Sequence, residues 1–246
     1  TTPARKIKLI DAFRVMLERL KDSTKDPATL RWIGQTLASM GESVMQAVRP
    51  PAQGQASELL KQSIAAFDEI NDPEDLSTLY LKGRSQRLVG DFKAAIDTFE
   101  QFLNKSPNTV DAQVEAAQCY EDWASTLNPR TAFKAYRAAI EGSRKNEKGK
   151  NTIWGWAQIS KETVNQVKTN PKLAEKFFES RYHVALCLYL MGTTNKRDKE
   201  IKEAIKVIRN AATLFPDLGG EERKSQFDTL MKQAQKAAGE KPVGLK

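Results

Sequence analysis

Three stretches of this chain set apolar side chains at the same five offsets. They are Ala95, Ile96, Phe99, Phe102 and Leu103; Ala132, Phe133, Tyr136, Ala139 and Ile140; and Ala204, Ile205, Ile208, Ala211 and Ala212. Offsets of 0, 1, 4, 7 and 8 trace one face of an α-helix. An amphipathic helix in isolation has no reason to keep small residues at fixed places on that face. Their recurrence predicts one helix–helix packing solution used three times, with alanine admitting a close neighbour.

Helix-starting signals run the length of the chain. Asp26-Pro27, Asp72-Pro73, Asn128-Pro129 and Asn170-Pro171 each couple a capping side chain to a proline at the first helical position. No stretch alternates polar and apolar residues for long enough to predict a sheet. The periodicity predicts eleven helices, at approximately 5–21, 27–48, 55–70, 74–89, 91–105, 109–126, 129–144, 152–169, 172–192, 198–215 and 220–238. The fold class is all-α.

Composition removes most chemistry. One histidine, His183, and two cysteines, Cys119 and Cys187, leave no zinc framework, disulfide scaffold or haem attachment site. Glycine-rich phosphate loops, nucleophile elbows and HExxH or CxxC motifs are absent from the sequence. Spacing suggests no partner for His183. Glu74-Asp75 and Glu221-Glu222 fall in first helical turns, where acids offset the helix dipole. Glu121-Asp122 lies late in its helix, and neighbouring side chains there diverge by about 100° rather than forming a dyad. The expectation is a non-enzyme without metal or cofactor. No segment is apolar for the 18 or so residues that a membrane-spanning helix needs.

The 39 basic and 31 acidic residues are unevenly placed, with the basic excess flanking an acidic middle at 51–100. Arg130, Lys134 and Arg137 fall on one helical stripe, and Arg144, Lys145, Lys148 and Lys150 continue it into a loop. This stripe suits nucleic acid or another polyanion, although Glu141 is placed to pair with Arg137. Trp154 and Trp156 follow it closely.

The helical pattern resembles the tetratricopeptide repeat, a pair of antiparallel helices about 34 residues long that stacks into a right-handed α-solenoid. Gly83, Gly90, Ala95, Phe99 and Pro107 match its spacing in a copy at 76–107, while Phe102 stands where a small residue is usual. A second copy at 110–144 reads Ala117, Ala132, Tyr136 and Ala139, with Arg144 in place of the closing proline. A third at 178–216 reads Ala185, Gly192, Ala204, Ile208, Ala211 and Pro216, with an insertion at Thr193–Lys199. A weaker copy begins at Gly34 and Gly41 and is interrupted around Pro50-Pro51. Cys119 and Cys187 then fall at equivalent positions of two copies, as small core fillers.

The resemblance implies one helical-repeat domain over 1–238. It would comprise N-terminal helices and the weak copy at 1–73, two repeats at 74–144, an extra helix with Trp154 and Trp156 at 145–170, a repeat at 171–216, a capping helix at 220–238 and a flexible tail at 239–246. It also implies a scaffold or adaptor that takes a peptide or partner helix along the first helix of each pair. Carried over position by position, that groove is Tyr80, Arg84 and Arg87, then Val114, Gln118 and Glu121, then Tyr182, Leu186 and Tyr189. The family's Lys/Asn set for a C-terminal carboxylate is not present in recognisable form. Starting at Thr1 without Met, the chain reads as processed or as one module of something longer. Unpaired cysteines tilt the expectation slightly towards a reducing compartment such as the cytoplasm, whereas a processed chain would fit a periplasmic or envelope setting.

Overall fold

α-Helices that follow an Asp or Asn begin where that side chain meets the unpaired N–H groups of a first turn. In the computed structural model, which describes residues 3–45, 49–70, 72 and 74–245 with side chains from residue 8 onward, Asp26 accepts from the Thr29 N–H at 2.8 Å, Asn128 from Thr131 at 3.2 Å and Asn170 from Leu173 at 3.3 Å. A proline follows each, as expected. The Asp72-Pro73 pair does otherwise. Pro73 lies outside the described residues, Asp72 accepts from the Glu74 N–H in a turn, and the capping residue is Asp75, bonded to the Thr78 N–H.

The described residues hold eleven α-helices, gathered in two compact units. The first unit, ending at Lys105, contains α1 (Pro3–Ser23), α2 (Pro27–Val44), α3 (Gly54–Asp68), α4 (Leu76–Val89) and α5 (Phe92–Lys105). α2 packs on α3 and α4 on α5 as antiparallel pairs. Leu17, Ile33, Leu37, Leu59 and Ala66 form one core cluster, and Leu30, Phe67 and Ile70 form another. Lys21 and Lys25 close on Glu69 at 2.6 and 2.9 Å, so the end of α1 is tied to the end of α3. Those two hydrogen bonds hold the Glu69 carboxyl down at about 2. Arg31 of α2 likewise reaches the cap of α4 through Asp75.

The second unit, from Ser106, contains α6 (Val110–Ser125), α7 (Pro129–Glu141), α8 (Gly155–Thr163), α9 (Pro171–Asn195), α10 (Asp198–Leu214) and α11 (Glu221–Ala237). A two-stranded hairpin, β1 (Ser143–Lys145) and β2 (Asn151–Ile153), separates α7 from α8. This corrects the predicted helix over 129–144 and the absence of strands. Gly142, at φ 83°, turns the chain out of the helix three residues early. Asn146 then nucleates the hairpin turn, its Oδ1 accepting from the Lys148 and Lys150 N–H groups at 3.0 Å.

α9 is longer than predicted. Gly192, expected in a turn, lies inside the helix, and Lys196 in the left-handed region ends it instead. The first three residues of the insertion at 193–199 therefore extend this helix. Gln235 accepts from the Gly244 N–H at 2.9 Å and Asp228 from the Leu245 N–H at 2.8 Å, so residues 239–245 lie back against α11.

Candidate functional site

Three helices of the second unit converge on one buried carboxylate. Glu121 of α6 is almost wholly buried, with its Oε2 2.7 Å from His183 Nδ1 and 3.3 Å from the Cys187 Sγ that donates to it. His183 and Cys187 stand four residues apart on α9, which places both on one face. Trp156 of α8, fully buried, stacks on the imidazole at 4.5 Å and 15°. Its indole N–H has no hydrogen-bond partner among the described residues.

The geometry is one of support rather than of a nucleophile and its base. Histidine and thiol both address the same carboxylate oxygen, so the imidazole is not aimed at the thiol proton. Among the described residues no group of three His, Cys, Asp or Glu side chains is arranged to hold a metal ion. Cys119 is buried as well, and neither it nor Cys187 forms a disulfide.

The side chains expected along the first helices occupy varied settings. Tyr80 is half-buried, its ring 6.4 Å from that of Phe99 and 6.1 Å from that of Phe102. Arg84 reaches Glu42 of α2 at 2.9 Å. Arg87 is buried, which corrects its expected place on an open face. In the second unit Val114 is buried and Gln118 half-buried. Glu121 is no surface residue either, because the acceptor it offers is used by α9. Tyr182 meets Phe227 edge-on at 5.4 Å and lies beneath Arg223. Leu186 and Tyr189 pack beside it on the apolar cluster of α9, α10 and α11.

The basic residues at 130–150 are all exposed: Arg130, Lys134 and Arg137 on α7, and Arg144, Lys145, Lys148 and Lys150 on the hairpin and its turn. Arg137 Nε pairs with Glu141 at 2.9 Å, as the spacing predicts.

A surface that the sequence reading did not single out lies on α1. Leu9, Phe13, Met16 and Leu20 are 58, 38, 48 and 37% exposed. At about 100° per residue their spacings of 4, 3 and 4 keep them on one narrow stripe. Leu17 and Ile10 turn instead to the core on one side, while exposed Lys8 and Arg19 border the other. The signal was available, because α1 carries more apolar residues than one buried face requires.

The α4/α5 pair shows how close packing is achieved. A Cβ on Gly83 would come within 3.0 Å of the Phe99 ring, and Gly90 caps α4 at φ 89°. The chain matches a family model described as Tetratricopeptide repeat over residues 77–109. Residues 77–109 are a tetratricopeptide repeat. The same glycine-to-aromatic contact recurs in α2/α3, where a Cβ on Gly34 would approach Phe67 to 2.5 Å. That pair has tetratricopeptide-like packing despite its long interruption. No curated protein and no solved structure matches the chain.

Proposed function

We propose that this chain is a non-catalytic scaffold that binds another protein, and that α1 is a principal contact surface. Tetratricopeptide repeats generally mediate protein–protein interactions. The observation that carries the reading is the uncovered stripe of Leu9, Phe13, Met16 and Leu20. Large apolar side chains exposed together on one helical line mark interaction surfaces. Their spacing suits an apposed helix, and bordering Lys8 and Arg19 suit one with acidic residues along its edge. Of the first-helix residues, Tyr80 and Arg84 in the first unit, and Gln118, Tyr182, Leu186 and Tyr189 in the second, keep enough exposure to contribute.

The test is affinity capture by the full chain from its own cell lysate at low and high salt. A discrete protein retained at high salt, and reduced at least roughly tenfold by Phe13→Glu with Met16→Glu, is the expected result. Capture unaffected by those substitutions sinks the α1 assignment. The placement of all seven cations at 130–150 on the surface favours a second reading, polyanion binding. It is distinguished in the same experiment by nucleic acid recovered only at low salt.

A further inference from the structure

In the second unit, α8, α9 and the end of α10 enclose a groove of about 460 Å³ that is open along one side. Its walls include Val164, Phe177, Leu214 and Phe215, with Leu214 72% exposed at the rim. Among these apolar groups stands Arg181, one turn beyond Phe177 on α9. Lys161 of α8 is the other charged residue of the lining, and no acid contributes to it. Arg181 is half-buried and makes no hydrogen bond or ion pair with any described residue. Burial alone pushes its guanidinium below the ordinary arginine value. Nearby Glu179 is already engaged by Lys176 at 3.1 Å, and Glu162 by Gln158.

Removing a guanidinium from water without a counter-charge is unfavourable, and a protein that does so offers a strong site for an anion. The planar fork of donors matches a carboxylate in two-point contact. The apolar walls lower the local dielectric and strengthen that contact. We propose that this groove binds an acidic peptide segment of a partner protein, placing an Asp or Glu carboxylate on Arg181 and an adjoining large apolar side chain against Phe177, Leu214 and Phe215. Small free ligands have some 70–90% of their surface enclosed in their sites, and a groove open along one side instead admits a passing chain. That the occupant is a protein rests on the scaffold reading, whereas the site itself is independent of α1.

The test uses a displayed library of random twelve-residue peptides selected on the full chain. Enriched peptides are then measured by fluorescence anisotropy against the parent, Arg181→Met and Phe13→Glu chains. The expected peptides carry Asp or Glu next to Leu or Phe and lose roughly tenfold to a hundredfold in affinity on Arg181→Met. Changing the peptide's own Glu to Gln gives a similar loss, while Phe13→Glu leaves them unaffected. The Arg181→Met chain melts no lower than the parent, since it loses a desolvated charge and no partner. The proposal is overturned if no enriched peptide depends on Arg181, or if the acid can be neutralised without loss. Peptides lost only on Phe13→Glu report on α1 and leave Arg181 without a role.

Discussion

A single oxygen atom, Glu121 Oε2, accepts from His183 and Cys187 and so ties α6 to α9, with Trp156 of α8 stacked over the imidazole. Buried donors that lose their acceptor keep their desolvation cost and gain nothing for it. Glu121→Ala is therefore expected to lower unfolding free energy by at least about 2 kcal/mol, read from urea denaturation. Glu121→Gln retains an acceptor oxygen of nearly the same shape and is expected to lose less. An alanine variant within about 0.5 kcal/mol of the parent would show that the cluster contributes nothing structural. The sequence hid this site for a definite reason. The spacing of His183 and Cys187 on one helix face is local and visible, but their acceptor lies 62 and 66 residues away. Arg137 and Glu141, a pair within one helical turn, were legible from spacing alone.

Between elements, the recurring device is a glycine on one helix receiving an aromatic ring from the next: Gly83 with Phe99, and Gly34 with Phe67. Alanine at either position gains up to about 1 kcal/mol in helix propensity. Overpacking against a buried ring opposes this by about 1–3 kcal/mol. The added Cβ would stand 2.5 Å from Phe67 in one case and 3.0 Å from Phe99 in the other. Gly34→Ala is thus expected to lower the thermal midpoint, and Gly83→Ala to lower it less. Phe67→Leu in the Gly34→Ala chain is expected to return part of the loss. Equal midpoints for the two glycine variants would mean that the rings move aside freely. The repeat copies were readable because alanine, glycine and aromatic residues declare this contact within one helix pair. The hairpin was not, because Gly142 and the Asn146 turn break a helical pattern whose apolar spacing runs on to Ile140.

For the whole molecule, the division at Lys105 and Ser106 falls inside the match to the tetratricopeptide model at 77–109. No glycine- or serine-rich linker marks it, and Pro107 reads as the close of a repeat, which is why the sequence suggests one continuous domain over 1–238. Each unit nevertheless has buried clusters of its own. Leu17, Ile33, Leu37 and Leu59 gather in the first, and Ile201, Ile205, Ile208, Phe227 and Leu230 in the second. Chains of about 100 residues or more can bury enough surface to fold alone. Fragments 1–105 and 106–246, expressed separately, are therefore each expected to be helical by circular dichroism and to melt in one cooperative transition. In the second fragment, Glu121→Ala should lower that transition as it does in the full chain, because α6, α8 and α9 all lie within it. A fragment that is helical but melts without cooperativity would show that its core depends on the other unit. The single domain suggested by the unbroken run of helices would then be the correct unit of folding.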